Sequence, residues 1–145
     1  MSISTRYLYL PDMSFSAPPL PRPGRSAVAA CALCGGVAAF QVALAAGAPW
    51  GAAAWGGTNP GVLPPGLRAA SAGSAIAYAL LAATAGSGLV PERARRRVLT
   101  GAAGLMVVGT ALNLASPSGV ERALWTPVAA ALAVLLWRAR TTAPR

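Results

Sequence analysis

Residues 26–47 read SAVAACALCGGVAAFQVALAAG, a run of 22 residues without a charged side chain. At about 1.5 Å per helical residue, such a run is long enough to cross the roughly 30 Å hydrocarbon core of a bilayer. Three more apolar runs follow, at 69–90, 98–115 and 120–137. We predict an all-α membrane protein in which four transmembrane helices pack as an antiparallel bundle.

The composition also indicates a membrane protein. Of the 145 residues, 55% are hydrophobic and 10% are charged, and the mean hydropathy is +0.55, values outside the usual range of soluble domains. All twelve basic residues are Arg, in a chain rich in Ala and Gly, which is typical of a high-GC bacterial genome. The chain has no His, three acidic residues and two Cys. A Ser-His-Asp triad, a Cys-His dyad and a His metal site are therefore excluded within it, and we predict neither a cofactor nor a metal.

The positions of arginine predict the orientation of the chain. Ten of the twelve lie at the two chain ends and between the second and third apolar runs, namely Arg6, Arg22, Arg25, Arg93, Arg95, Arg96, Arg97, Arg138, Arg140 and Arg145. The other two links carry one arginine each, Arg68 and Arg122. Because arginine-rich short loops stay in the cytoplasm, we predict a multi-pass protein of the bacterial cytoplasmic (inner) membrane with both termini cytoplasmic. The net charge of +9 is thus a topology signal, and we predict no nucleic-acid partner.

The chain ends carry the weakest pattern. Residues 1–25 contain five prolines and no periodicity, so we predict a disordered cytoplasmic tail, with Met13 as an alternative start. Residues 138–145 form a short basic cytoplasmic tail. A cleaved signal peptide is the alternative for the first span, since Arg22 and Arg25 precede it, although the apolar run exceeds the usual h-region of about 7 to 15 residues.

The link between the first two runs is rich in glycine and proline. Residues 48–68 read APWGAAAWGGTNPGVLPPGLR, with five glycines and four prolines. Irregular backbone is not tolerated in contact with lipid, so we predict an outer loop that caps the bundle. Gly56 and Gly57 permit tight turns, and Trp50 and Trp55 fix the loop at the headgroup level. The alternative is a re-entrant hairpin that lines a cavity.

Polar side chains concentrate in the outer half of the predicted bundle. The members of this outer polar cluster are Gln41, Arg68, Ser71, Ser74, Tyr78, Asn113, Glu121, Arg122 and Thr126. An ionisable group at this depth is a candidate functional residue, and Glu121 has Arg68 or Arg122 as a partner for acid–base chemistry. Two structural alternatives are open. In the first, Ser118 and Glu121 have the spacing of a capping box. In the second, the side-chain amides of Gln41 and Asn113 form hydrogen bonds between helices.

Four segments resemble those of a family of small four-span bacterial integral membrane proteins: GAPWG at 47–51, AWGG at 54–57, LPPGLR at 63–68 and NLASPSGVERALWTPVA at 113–129. The resemblance covers residues 41–137. It implies the four-span fold, and it carries no assigned activity. The matched positions are Gly47, Pro49, Trp50, Gly51, Gly56, Gly57, Leu63, Pro64, Arg68, Asn113, Pro117, Glu121, Arg122, Trp125 and Pro127.

Three classes of function fit the sequence. The first is a non-enzymatic accessory, assembly or lipid- and ligand-binding protein, with the bilayer and a second copy or another membrane protein as partners. The second is a small oligomeric transporter. Small four-span exporters couple transport to protons through an acidic residue in the first helix, and the first span here has none, which disfavours this class. The third is an enzyme acting on lipid or quinone at the outer leaflet, with Glu121 as acid or base and Arg68 or Arg122 binding an anionic headgroup.

Overall fold

A computed structural model describes residues 23–141. Its four helices are α1 (Arg25–Ala46), α2 (Pro65–Gly86), α3 (Glu92–Leu114) and α4 (Gly119–Ala139). Each is long and apolar enough to span a bilayer, and no strand occurs in the described part of the chain. The predicted all-α bundle of four membrane-spanning helices is therefore confirmed. The predicted N-terminal tail, except for its last three residues, and residues 142–145 lie outside the described residues, as does the alternative start at Met13.

Two helices begin earlier than the hydropathy pattern predicts. The second span was expected from residue 69, but α2 begins one turn earlier with Pro65 at its first helical position, where the missing N–H of proline costs nothing. The third was expected from residue 98, but α3 begins at Glu92. Its first two turns hold four arginines, of which Arg93, Arg96 and Arg97 have exposed side chains while the backbone stays helical. Hydropathy marks where charge begins, which is not where the helix begins.

The helices pack as two hairpins. In the first hairpin α1 lies along α2, in the second α3 lies along α4, and α1 joins the two by packing on α4. Of the neighbouring pairs, α2 and α3 touch least. Large apolar side chains such as Ile76, Leu80, Leu105 and Leu112 are exposed on the outside of the bundle. Such a surface is suited to lipid rather than to water.

The antiparallel arrangement gives the bundle two chemically different ends. We call one the arginine-rich end, because the start of α1, the start of α3 and the end of α4 meet there with Arg25, Arg93, Arg95, Arg96, Arg97, Arg138 and Arg140. There Arg95 is only 1% exposed and donates to the carbonyl oxygen of Ala85 at 3.3 Å, in the last turn of α2. A guanidinium at a helix C-terminus satisfies a free carbonyl and opposes the negative end of the helix dipole. The start of α3 thus caps the end of α2.

The half of the bundle next to this end is tightly packed with small side chains. Ala27, Ala30 and Cys34 of α1 are almost completely buried with Leu132 and Leu136 of α4. Small residues at helix interfaces let backbones approach closely. The Ala-rich sequence, which gives each span little hydrophobicity of its own, is therefore used for contact between helices.

The opposite end is covered by residues 48–64, which we call the lid. The lid contains two short 3₁₀ turns, Gly51–Ala53 and Trp55–Gly57. Its Ala54 and Leu63 are buried with Leu44 of α1 in a small apolar cluster. A Cβ atom on Gly51 would lie 2.0 Å from the carbonyl oxygen of Asn59, so the fold of the lid requires glycine there. The lid is a compact cap over the helix ends.

Candidate ligand cavity under the lid

Glu121 lies at the join between the lid and α4. Its backbone N–H donates to the Oγ of Ser118, the N-cap of α4, at 3.2 Å. Its carboxylate is 8% exposed and accepts two hydrogen bonds, one from the Oγ of Ser116 and one from the backbone N–H of Gly56 at 3.2 Å. One carboxylate therefore connects the lid to the α3–α4 link.

The predicted capping box forms in only one of its two halves. The reciprocal bond would run from the Ser118 N–H to the Glu121 carboxylate, but this N–H donates to the Oγ of Ser116 at 3.2 Å. Ser116 thus receives one hydrogen bond and donates another to Glu121. It is 8% exposed and is absent from the sequence-predicted cluster. Its one signal in the sequence is a hydroxyl two residues before an N-cap, a spacing at which serine often bonds the backbone.

The two arginines of the predicted acid–base pair bind backbone carbonyls. The Nε of Arg68 donates to the carbonyl oxygen of Ala45 at 2.9 Å, in the last turn of α1. The Nη1 of Arg122 donates to the carbonyl oxygen of Ser116, just beyond α3. Within residues 23–141, no ion pair joins either arginine to Glu121. Free carbonyls at helix C-termini attract cations, and here each takes its guanidinium away from the carboxylate.

Two indoles and one hydroxyl fasten the lid from its other sides. The Nε1 of Trp55 donates to the Oγ of Ser71 on α2 at 3.1 Å, and the Nε1 of Trp125 donates to the carbonyl oxygen of Ala53. The Oγ of Ser118 donates to the carbonyl oxygen of Ala52 at 2.9 Å. The lid is therefore bound to both hairpins, and these bonds are spread along its length.

Trp55 keeps its place in an unfavourable backbone conformation. Its φ is +54°, the one positive value for a residue other than glycine in the described chain. This conformation costs a residue with a Cβ about 1 to 2 kcal/mol. Gly56 and Gly57 follow with φ of +82° and +69°, which glycine adopts freely. The three left-handed residues turn the lid sharply enough to bring the Gly56 N–H to the carboxylate of Glu121.

An aromatic group supports the lid from below. Phe40 of α1 stacks on Trp50 with 5.9 Å between ring centroids, and it meets Trp125 edge to face at 4.8 Å. Both separations lie in the favourable range for aromatic pairs. Large rings thus pack at the lid end of the bundle, in contrast to the small side chains buried at the other end. Phe40 and Trp125 are absent from the predicted cluster, although large aromatics in a run of alanines were a visible signal.

A cavity of about 360 Å³ lies under the lid. All four helices and the lid contribute to its wall, and its volume is typical of small-molecule sites, which are about 300 to 1,000 Å³. The wall is mostly apolar, with Val37, Leu112 and Leu132 among its residues. Of the neighbouring helices around the cavity, α2 and α3 touch least.

Five of the sequence-predicted site residues line this cavity: Gln41, Trp55, Tyr78, Asn113 and Glu121. The Oε1 of Gln41 is buried and has no hydrogen-bond partner. The hydroxyl of Tyr78 contacts the Sδ of Met106 at 3.8 Å. A buried acceptor without a donor is costly. Gln41, Tyr78 and Asn113 give the cavity wall its uncharged polar groups.

The other predicted residues lie outside the cavity wall: Trp50, Gly56, Gly57, Arg68, Ser71, Ser74, Arg122 and Thr126. Ser71 is fully buried and accepts the bond from Trp55. A Cβ atom on Gly57 would lie 2.5 Å from the Cβ of Ser118, so this glycine permits the lid to approach α4. Within residues 23–141, no group of three His, Cys, Asp or Glu side chains is placed to hold a metal.

Comparisons with protein-family models, curated proteins and solved structures give no match. The resemblance to the four-span bacterial family therefore stays a prediction.

Proposed function

We propose that this protein is an inner-membrane binding protein that holds a neutral amphipathic lipid in the cavity under the lid. The observation that carries the proposal is the cavity itself, an apolar chamber bounded by all four helices, with the side chains of Gln41, Tyr78 and Asn113 as uncharged polar groups in its wall. In this proposal both termini are cytoplasmic and the lid faces outward, in agreement with the distribution of arginine.

The wall chemistry defines the class of ligand. Val37, Leu112 and Leu132 offer an apolar surface for a hydrocarbon or isoprenoid tail. The side-chain amides of Gln41 and Asn113 also line the cavity, and such groups suit an uncharged polar head such as a hydroxyl. No arginine lines the cavity, and the Glu121 carboxylate already holds two donors. Neither feature favours a charged headgroup, and we infer a neutral head.

The geometry fits ligand binding better than catalysis or transport. The one carboxylate in the wall is bonded to the lid and to Ser116, and catalysis by an acid or base needs a group free to exchange its proton. The cavity ends at Val37 and Leu132, where the alanine-packed half of the bundle begins. We therefore rank binding above the enzyme and the transporter. Entry between α2 and α3 would let the ligand arrive from the bilayer.

A cavity-filling substitution tests the proposal. Gly109 lines the cavity, and a Cβ atom built on it meets nothing within 4 Å, so Gly109→Leu places its side chain in empty space. Gly73 on α2 is equally unobstructed and does not line the cavity, which makes Gly73→Leu the matched control. Each change replaces a mid-helix glycine with a better helix former. Any difference between the two variants therefore reports the cavity.

The measurement is the amount of lipid that copurifies with the protein in mild detergent, identified by mass spectrometry after solvent extraction. We expect one neutral hydroxyl-bearing lipid near equal molar ratio in the wild type and in Gly73→Leu, and its loss in Gly109→Leu. Equal retention in all three proteins, or the absence of any such lipid from the wild type, would refute the proposal.

A further inference from the structure

A second concave surface lies between α3 and α4 in the half next to the arginine-rich end. This groove has a volume of about 460 Å³, and its wall includes Thr100, Gly104 and Val107 of α3 and Val134, Trp137 and Arg138 of α4. It shares no residue with the cavity under the lid. The stretch from Thr100 to Val107 rises about 10 Å along α3. The groove is therefore confined to one leaflet.

The groove is apolar along its length and positively charged at its mouth. Arg138 forms part of the wall. Arg96 precedes Thr100 by four residues and Val107 by eleven, so it lies on the groove face of α3. Both arginine side chains are exposed. In the described chain the one acidic residue at this end is Glu92, which is already 3.8 Å from the guanidinium of Arg95.

A third arginine, Arg140, packs on Trp137 of the groove wall. The guanidinium of Arg140 lies 3.4 Å from the centroid of the Trp137 ring, a cation–π contact that fixes both side chains. The Nε of Arg140 is buried and has no hydrogen-bond partner. A phosphate at this position would meet several cationic donors, which suit phosphate oxygens well.

We propose that this groove binds an anionic phospholipid of the leaflet at the arginine-rich end. One acyl chain lies along Thr100, Gly104 and Val107, and the phosphate is bound by Arg96 and Arg138. A second copy of the chain is the less suitable occupant. Copies in one membrane share one orientation, so a packed pair would bring two arginine-rich ends together, and like charges at an interface repel.

Charge variants test the headgroup part of the proposal. We would titrate phosphatidylglycerol and phosphatidylcholine separately into the detergent-solubilised protein and count bound lipid by native mass spectrometry. Arg96→Gln and Arg138→Gln should each weaken phosphatidylglycerol binding about fivefold, since one arginine near an anionic surface contributes on the order of 1 kcal/mol. Arg25→Gln removes a charge from the same end but from α1, and it should leave the affinity unchanged. Equal affinity for the two lipids in the wild type would overturn the proposal.

A steric pair of variants tests the acyl-chain part. Gly104 lines the groove, whereas Gly101 does not, and a Cβ atom on either meets nothing within 4 Å. Gly104→Leu should lower phosphatidylglycerol binding at least fivefold, and Gly101→Leu should not. Unchanged binding in Gly104→Leu would contradict the proposal. Conversion of a dimer to a monomer by Gly104→Leu, with lipid binding intact, would assign the groove to a second copy and likewise overturn it.

Discussion

Replacing Glu121 with alanine tests whether one carboxylate holds the lid to the bundle. The substitution removes two hydrogen bonds, from the Ser116 hydroxyl and the Gly56 N–H. A hydrogen bond to a charged acceptor contributes about 1.5 to 3 kcal/mol, and a carboxylate in the first turn of a helix adds about 0.3 to 1 kcal/mol. We expect Glu121→Ala to lower the free energy of unfolding by about 3 to 7 kcal/mol. Glu121→Gln keeps an acceptor for Gly56 and should cost about 1 to 2 kcal/mol.

The assay is thermal unfolding in detergent, followed by tryptophan fluorescence. A loss of about 3 to 7 kcal/mol corresponds to a fall in Tm of about 10 to 25 °C for a chain of this size. Glu92→Ala is the matched control, because Glu92 also lies in the first turn of a helix but has a half-exposed side chain. It should cost less than Glu121→Ala, because the Glu92–Arg95 pair spans 3.8 Å and the Glu92 side chain is half exposed. A Glu121→Ala protein that unfolds together with Glu92→Ala would refute the assignment of Glu121 as the fastener of the lid.

The lid and the cavity give two more predictions. Gly57→Ala should destabilise the protein by more than about 2 kcal/mol, because the new Cβ would lie 2.5 Å from the Cβ of Ser118 and the φ of Gly57 is positive. In Gly56→Ala the new Cβ meets nothing within 4 Å, so this substitution should cost only about 1 kcal/mol for its backbone conformation. A lower Tm for Gly56→Ala than for Gly57→Ala would contradict this prediction. Gln41→Leu removes the unsatisfied acceptor, so it should raise the Tm of the delipidated protein and abolish retention of the hydroxyl lipid; a lower Tm with full lipid retention would contradict it.

The fold could be predicted because its signals are local and repeated. Apolar runs and the alternation of arginine are properties of each segment alone, so they survive without knowledge of the contacts. The start of α3 was misplaced because hydropathy stops at Arg97, whereas the helical backbone continues back to Glu92. Arg95, which a hydropathy pattern places in a polar link, is instead buried against the end of α2.

The site was less predictable because its contacts are distant in sequence. The N-cap of α4 could be predicted because Ser118 and Glu121 lie within four residues of each other. The structure contains the expected hydrogen bond from the Glu121 N–H to the Oγ of Ser118. The carboxylate's partner in the lid, Gly56, is 65 residues away, and nothing near Glu121 in the chain specifies it. Arg68 shows the same limit, since charge alone cannot tell a partner carboxylate from the free carbonyl at the end of α1.

Cysteine labelling in intact cells can determine on which side of the membrane the lid and the arginine-rich end lie. Thr58 in the lid, Ala94 in α3 and Thr141 after α4 are all exposed, so each can be changed to cysteine in a chain in which Cys31 and Cys34 are replaced by alanine. Intact cells are then treated with a membrane-impermeant maleimide, and a permeant maleimide serves as the control for reactivity.

If the lid faces outward and both termini are cytoplasmic, the impermeant reagent should label position 58 alone, and the permeant reagent should label all three positions. Labelling at 94 or 141 in intact cells, with 58 protected, would contradict the orientation on which both proposed lipid sites depend.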